Sequence, residues 1–134
     1  MRTSIVLTFP QVKSIEWNHR TPTPTKKATM IANYGFSATL TARPGTGDRL
    51  VDLLLTGLNE GSPGASKECV VYLVSRSASD PDVVHVTEGW TSEDDHHRIF
   101  ASETAKAIVA QIDPLLAKEP EYTDYVPVRG KAAF

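Results

Sequence analysis

The sequence has little cysteine and no long apolar run. Cys69, the single cysteine among 134 residues, cannot form an internal disulfide and lies in an apolar stretch. We therefore interpret it as a small buried side chain in a reducing compartment. No apolar stretch approaches the ~20 residues that a membrane-spanning helix needs, and the apolar run near the N-terminus is short for a signal peptide. These absences predict a cytoplasmic protein with no membrane partner.

An excess of charge of one sign is also lacking. Fourteen basic and sixteen acidic residues leave a formal net charge of -2. The sequence contains no basic block that would bind phosphate backbones or anionic lipid, so nucleic acid is not expected as a partner. With 40% hydrophobic residues, the chain is long enough for one domain with its own core and too short for two ordinary ones.

Two regions of different character divide the chain. Residues 1–29 contain short strand-like pieces followed by the run TPTPTKK, in which alternating Thr and Pro favour an extended conformation. We expect this N-terminal arm to lie against a sheet edge or a partner subunit. The compact domain is predicted to span residues 30–134.

A strand and a helix are predicted at the start of this domain. Residues 36–42 alternate between apolar and small polar side chains, the pattern of a half-buried strand. The turn-forming run ARPGTGD separates this strand from a helix predicted from Asp48 to Glu60, where leucines recur at helical spacing. The run GSPG at 61–64 then ends the helix.

A hairpin is predicted over residues 68–90. The run ECVVYLVSR at 68–76 precedes the turn cluster SASDPD, and VVHVTEGW at 83–90 resumes extended structure. The first strand is apolar on both faces, and a strand of this kind needs a cover on both sides. Its predicted faces are Cys69, Val71 and Leu73 on one side, and Val70, Tyr72 and Val74 on the other.

Helical signals return after Trp90. Ser92 is a natural N-cap, and the three acidic residues that follow it form a first turn in which negative charge is favoured. A further helical stretch carries apolar residues at helical spacing from Ala105 to Leu116, with Pro114 limiting its end.

Residues 121–130 are predicted to form a final strand, which Pro127 places at an edge or beside a bulge. The order of elements is therefore strand, helix, strand, strand, helix, strand. This order predicts an α+β fold, a ferredoxin-like βαββαβ sandwich with helices on one face of the sheet. The doubly apolar strand at 69–74 indicates that a second copy of the chain covers the other face. We therefore predict a homodimer.

Three stretches in this order resemble the antibiotic biosynthesis monooxygenase family of dimeric α+β barrel proteins: LTARPGTGDRLVDLLLTGL (40–58), ECVVYLVSRSASDPDVVHVTEGW (68–90) and TSEDDHHRIFASETAKAIVAQIDPLL (91–116). The shared features are a Pro-Gly turn into the first helix, a Cys-x-x-Tyr strand and a Glu-x-Trp strand end. The resemblance implies a homodimeric α+β barrel with a cavity in each subunit. Characterised members include haem-degrading enzymes, and oxygenases that act on polycyclic phenols or quinols without metal or flavin.

Glu88 and Trp90 match the Glu-x-Trp feature and share one face of their strand, because they are two residues apart. In the functional interpretation Trp90 stacks against an aromatic substrate and Glu88 orients a polar group. Alternatively, Trp90 belongs to the core and Glu88 bonds to neighbouring backbone or to an arginine.

His96 lies six residues after Trp90, where one branch of the family also has a histidine. A neutral imidazole facing the cavity would accept a phenolic proton, and the resulting phenolate would react with dioxygen directly. The alternative is a helix-surface or half-buried histidine that stabilises its neighbours. His97 is rotated by about 100° on a helix and has Glu93 as a solvent-side partner.

No cofactor is expected. Adjacent histidines on a helix diverge, whereas zinc-binding helices space them four residues apart. The haem-degrading relatives place an axial histidine near the positions of Ile99 and Phe100, and an asparagine where this chain has Ala38.

Tyr72 completes the predicted site. Its hydroxyl would hydrogen-bond an oxygen atom in the pocket or, alternatively, pair within a packed core. The first functional hypothesis is a cofactor-independent monooxygenase acting on a quinol or polyketide-type phenol, with His96 as the base. The second is a non-catalytic ligand-binding or stress-related protein that uses the same cavity.

Overall fold

The computed structural model describes residues 30–134, and the predictions for the N-terminal arm, residues 1–29, lie outside the described residues. The described chain contains four strands and three α-helices, together with short 3-10 turns at Thr56–Leu58, Pro63–Ala65 and Asp113–Leu115. In chain order these elements are β1 (Tyr34–Thr41), α1 (Gly47–Leu55), β2 (Cys69–Arg76), β3 (Val83–Trp90), α2 (Glu93–Phe100), α3 (Glu103–Ile112) and β4 (Glu121–Tyr125).

The four strands form one antiparallel sheet in the order β2-β3-β1-β4. The helices pack on one face of this sheet, so the predicted ferredoxin-like α+β fold is confirmed. Strand β4 lies at an edge, in agreement with the prediction from Pro127, but it ends at Tyr125. The predicted strand over 121–130 was therefore too long, because a proline offers no amide hydrogen to continue the ladder.

Helix α1 is shorter than predicted at its C-terminal end. It ends at Leu55 and continues as a single 3-10 turn, where Gly57 lowers the helical propensity. The carbonyl oxygen of Leu54, which a longer α-helix would offer to the amide of residue 58, accepts a hydrogen bond from the Tyr72 hydroxyl at 2.8 Å. A contact from β2 thus fixes the end of the helix.

The start of α1 is held by the β2-β3 turn. The Asp82 carboxylate accepts hydrogen bonds from the amides of Gly45, at 3.0 Å, and Gly47, at 2.9 Å. This arrangement places negative charge at the helix N-terminus, where the helix dipole favours it. A Cβ atom at Gly47 would collide with the carbonyl oxygen of Pro81, so the close approach of turn and helix requires glycine.

The second helical region consists of two helices with separate N-caps. The Ser92 hydroxyl accepts from the amide of Asp95 at 3.0 Å, as predicted, and the Ser102 hydroxyl accepts from the amide of Ala105 at 3.2 Å. The cap at Ser102 was not predicted. Because the chain begins a new helix there, α2 and α3 pack against different parts of the sheet.

A bulge in β2 alters the predicted faces of this strand. Cys69 pairs with Trp90 and Tyr72 pairs with Glu88, with a register shift between Cys69 and Val71. Cys69 therefore packs on the helix side together with Trp90, whereas strict alternation had placed it on the same face as Val71.

Two hydrophobic cores lie between the sheet and the helices. The aliphatic core consists of Ala38, Leu40, Ala42, Leu50, Leu54, Val84, Val86 and Ile112. The aromatic core consists of Tyr34, Phe36 and Trp90, with Cys69, Ile99 and Phe100 packed against them. Both cores use alternate residues of β1 and β3, which agrees with the period-two pattern of these strands.

The opposite face of the sheet carries small polar and apolar side chains. On this face Thr39 and His85 share a hydrogen bond of 3.2 Å between Oγ1 and Nδ1. His85 is therefore on the other side of β3 from Glu88, because the two residues are an odd number of positions apart. Within residues 30–134, no helix is both long enough and apolar enough to span a membrane.

Candidate active site

A cavity of about 740 Å³ lies between the sheet and the helices. It reaches from the aromatic core, past α1 and α3, to the segment that connects α3 with β4. Most of its wall is apolar, which is typical of pockets that take small organic ligands. The apolar part of the wall includes Phe36, Ala38, Leu40, Leu54, Val86, Phe100, Ile108, Ile112 and Leu116.

A carboxylate lies at the inner end of this cavity. Glu88 lines the wall, yet its residue is only 7% exposed. Trp90 donates from Nε1 to Glu88 Oε1 at 2.8 Å, as their shared strand face allows. This bond supplies part of the polar environment that a buried carboxylate needs.

The indole of Trp90 lies behind the wall. Trp90 is 0% exposed, and its ring packs edge-on against His96 and Phe100 at centroid distances of 5.1 and 5.9 Å. This position agrees with the alternative in which Trp90 belongs to the core, and it leaves no ring face open to the cavity. The neighbouring rings already cover it, and its polar atom is directed to Glu88.

His96 lines the cavity from α2. The sequence left its orientation open, and the structure buries it to 7% exposure. Its ring lies 5.0 Å from that of Phe36 and 4.7 Å from that of Phe100. His97 takes the solvent side with its side chain 53% exposed, and its Nε2 lies 3.8 Å from Glu93 Oε2. The two adjacent histidines thus have the different positions that helical geometry predicts.

The N-terminus of α2 is fixed by a small polar network. Thr91 donates its hydroxyl to one oxygen of Asp95, and Arg98 donates to the other at 2.9 Å. These hydrogen bonds lower the pKa of the Asp95 carboxyl. Since Asp95 directly precedes His96, the network holds the helical turn that carries the imidazole.

Tyr72 forms part of the wall with its hydroxyl already engaged. It donates to the carbonyl oxygen of Leu54, which is the packed arrangement that the sequence left as an alternative. Burial, and secondly the charge of Glu88, raise the pKa of the Tyr72 hydroxyl above its ordinary value. A Cβ atom at Gly57 would lie 2.6 Å from the Tyr72 hydroxyl oxygen, so glycine at this position gives the phenol its space.

Cys69 is a protonated thiol at the margin of the aromatic core. Burial, followed by the charge of Glu88, raises its pKa from the ordinary 9.0 to about 12. Its Sγ atom donates to the carbonyl oxygen of Val71. At neutral pH the thiolate, which is the reactive form, is therefore suppressed.

The mouth of the cavity contains residues that the sequence patterns did not single out. They lie on the segment after α3 and on the first residues of β4: Asp113, Lys118, Glu119, Pro120 and Tyr122. Phe36 and Phe100 were also missed as wall residues. A signal existed for Phe100, because it follows His96 by four residues and so shares its helix face.

The described residues bring no three His, Cys, Asp or Glu side chains together in an arrangement able to hold a metal ion. At the two positions near which the haem-degrading relatives place an axial histidine, Ile99 packs against the aromatic core and Phe100 lines the cavity. Ala38 lies in the cavity wall as well.

Comparison with known proteins places this geometry in a family. A protein from Chloroflexus aurantiacus, named as a candidate antibiotic biosynthesis monooxygenase, is 29% identical, with 74% of this chain and 96% of that chain covered and a TM-score of 0.65. A similarly named protein from Caulobacter crescentus is 25% identical, with 73% and 92% covered and a TM-score of 0.60.

A protein from Mycobacterium tuberculosis shares the fold at 20% identity, with 75% of this chain and 100% of that chain covered and a TM-score of 0.64. No curated protein matches the chain. The sequence profile described as antibiotic biosynthesis monooxygenase matches residues 34–111, which is more than half of the chain. The chain therefore belongs to the antibiotic biosynthesis monooxygenase family.

Proposed function

We propose that the protein is a cofactor-independent monooxygenase that oxidises an electron-rich aromatic molecule, a quinol or a polyketide-type phenol. Membership of the family supports a monooxygenase-like or small-molecule-binding function. The observation that carries the more specific proposal is a largely apolar cavity of about 740 Å³ with a buried imidazole and a buried carboxylate at its inner end. Such a site holds a ring system by its faces and orients one polar group.

His96 acts as the base in the proposed reaction. Its imidazole accepts the proton of the substrate hydroxyl, because histidine exchanges protons near neutral pH. The phenolate passes one electron to dioxygen, and the superoxide formed then bonds to the ring carbon that carries hydrogen. The His96 imidazolium returns its proton to the resulting peroxide anion, and the hydroperoxide then loses water, together with the hydrogen of that ring carbon, to leave a carbonyl group. One oxygen atom of dioxygen enters the product and the other leaves in water, so a methylene group and dioxygen yield a ketone and water.

The other predicted site residues shape this pocket. Glu88 orients the polar edge of the substrate, and Trp90 fixes the Glu88 carboxylate by the bond from Nε1. Tyr72 forms the wall next to Glu88, because the two residues pair across the neighbouring strands β2 and β3. In this proposal Trp90 acts through Glu88 and the surrounding rings and does not touch the substrate.

We also propose that two copies of the chain pair through the open face of the sheet. Among residues 30–134 the helices cover one face, while Val71 and Leu73 on the opposite face are partly exposed in the single chain. A second sheet would cover these apolar side chains. Light scattering during size-exclusion chromatography measures the mass directly, and a stable monomer at micromolar concentration would contradict the pairing.

A non-catalytic ligand-binding role is the second candidate. It is favoured by the hydroxyl of Tyr72 and the carboxylate of Glu88, since both already have hydrogen-bond partners within the chain. Groups that are satisfied in this way shape a pocket without taking part in proton transfer. In this case the cavity would bind the same aromatic molecules and release them unchanged.

Oxygen uptake with a panel of quinols and anthrone-like phenols separates the two candidates. We expect His96→Ala to lower the rate by about a hundredfold or more, the usual contribution of a general base. His97→Ala is the matched control, because it removes the neighbouring imidazole from the solvent side, and it should change the rate less than about twofold. Equal rates for wild type and His96→Ala would refute the role of His96. Tight binding without uptake would favour the ligand-binding role.

A further inference from the structure

Tyr122 occupies an unusual place for a large aromatic residue of the helix-side face. It lies on the edge strand β4 and lines the cavity, yet it is 54% exposed. The neighbouring Glu121 and Thr123 are exposed as well. Because an exposed ring buries little apolar area, core packing gives Tyr122 only a small role in stability.

The ring of Tyr122 extends the row of aromatic rings that begins inside the cavity. Its Cα position pairs with that of Ala38 on β1, and the small alanine leaves space on this face. Tyr122 contacts the diagonally placed Phe36 edge-on, at a centroid distance of 6.1 Å and an interplanar angle of 66°. Phe36 in turn lies 5.0 Å from the ring of His96. The row therefore runs from the buried imidazole, over Phe36, to the mouth.

This row sets a requirement on the size of the ligand. A molecule that contacts both His96 and Tyr122 has to extend along the ring of Phe36, which separates them. A single-ring phenol reaches one end or the other, whereas a planar fused-ring molecule reaches both. The cavity volume of about 740 Å³ lies within the range of pockets that enclose drug-sized ligands.

We infer that Tyr122 is a specificity residue that holds the outer ring of a planar, multi-ring aromatic ligand while its inner ring lies at His96. The inference deepens the proposed function and rests on the same cavity. The face of the Tyr122 ring supplies a stacking or edge-on contact, which favours extended aromatic molecules over single rings. The residue thus selects the ligand without taking part in proton transfer.

Titration calorimetry of the full chain with a dihydroxyanthraquinone, a stable planar tricyclic probe, tests the inference. We expect Tyr122→Ala to raise the Kd by about five- to tenfold, the effect of losing one aromatic contact. Tyr122→Phe keeps the ring and should bind within about twofold of the wild type. Hydroquinone is the single-ring probe. The substitution Tyr122→Ala should not change its binding, whether or not the wild type binds it measurably.

Tyr125→Ala is the matched control. Tyr125 lies on the same strand with a similar exposure of 48%, but on the opposite face, where its hydroxyl is 3.0 Å from Ser37 Oγ. Its removal should leave the Kd of the tricyclic probe within about twofold of that of the wild type.

Four results would overturn the inference: no binding of the tricyclic probe to the wild type, an unchanged Kd for that probe in Tyr122→Ala, equal weakening of both probes by Tyr122→Ala, or a Tyr122→Phe variant as weak as Tyr122→Ala. Because the measurement is binding, it is independent of turnover. A chain that consumes no oxygen but binds the probe through Tyr122 would refute the proposed reaction and support the inference. A chain that consumes oxygen, but whose Kd for the tricyclic probe is unchanged in Tyr122→Ala, would support the proposed reaction and refute the inference.

Discussion

Strands β1 and β3 run through two cores of different composition. The aliphatic core below α1 and α3 is built from alanine, valine, leucine and isoleucine. The aromatic core beside α2 holds Glu88 and His96, each only 7% exposed, next to its rings. Burying such polar groups destabilises the folded state, whereas burying aliphatic side chains stabilises it. The aliphatic core supplies most of the apolar cavity wall and most of the packing, whereas the aromatic core supplies the two buried polar side chains of the cavity, Glu88 and His96.

The largest expected effect on stability comes from the aliphatic core. Leu50 is fully buried on α1, and Leu50→Ala should lower the free energy of unfolding by about 2–5 kcal/mol, measured by urea denaturation. Leu55→Ala on the same helix is the control, because Leu55 is 43% exposed and should cost less than about 1 kcal/mol. The Kd of the tricyclic probe should not change in the folded fraction. Weaker ligand binding by Leu50→Ala would show that the two cores are not separable.

A smaller effect on stability, but a larger one on the site, is expected from Trp90→Phe. This change removes the donor to Glu88 Oε1 and leaves a buried acceptor without that bond, which costs about 1–3 kcal/mol. Tyr34→Phe is the control within the same core, since it removes a hydroxyl whose bond to Asp124 is long, at 3.4 Å. The free energy of unfolding and the rate of oxygen uptake should both decrease more in Trp90→Phe than in Tyr34→Phe. Equal effects of the two changes would argue against a special role for the Trp90 to Glu88 contact.

The smallest expected effect separates the two helices that follow Trp90. Ser92→Ala and Ser102→Ala each remove one N-cap hydrogen bond, and each should cost about 1 kcal/mol in unfolding free energy. Only Ser92→Ala should also weaken oxygen uptake, because α2 carries His96. If both variants lose uptake equally, the position of the imidazole does not depend on the cap of its own helix.

Local patterns predicted most elements, and long-range contacts explain the exceptions. Strand β3 was predicted with its observed bounds, since turn residues flank a clear extended run. The end of α1 was not predicted correctly, because the Tyr72 hydroxyl that bonds to the Leu54 carbonyl lies 18 residues later in the sequence, on another element. The bulge between Cys69 and Val71 was also unpredictable, as apolar residues on both faces leave strand parity undefined.

The candidate site was predictable to a similar degree. Glu88, Trp90, Tyr72 and His96 were named as candidates from spacing and resemblance; Glu88, Tyr72 and His96 line the cavity, and Trp90 packs behind its wall. Tyr122 was missed because an edge strand gives no strong pattern, and its approach to Phe36 depends on the pairing of β1 with β4.

The sequence by itself determined the relations that act over a few residues. It placed Glu88 and Trp90 on one strand face, separated His96 from His97 on a helix, and marked Ser92 as an N-cap, since backbone geometry alone decides these relations. Only the tertiary structure decided that His96 faces the cavity and that Trp90 lies behind its wall. Those positions depend on how α2 packs against the sheet, and that packing is the combined result of many weak contacts between distant residues.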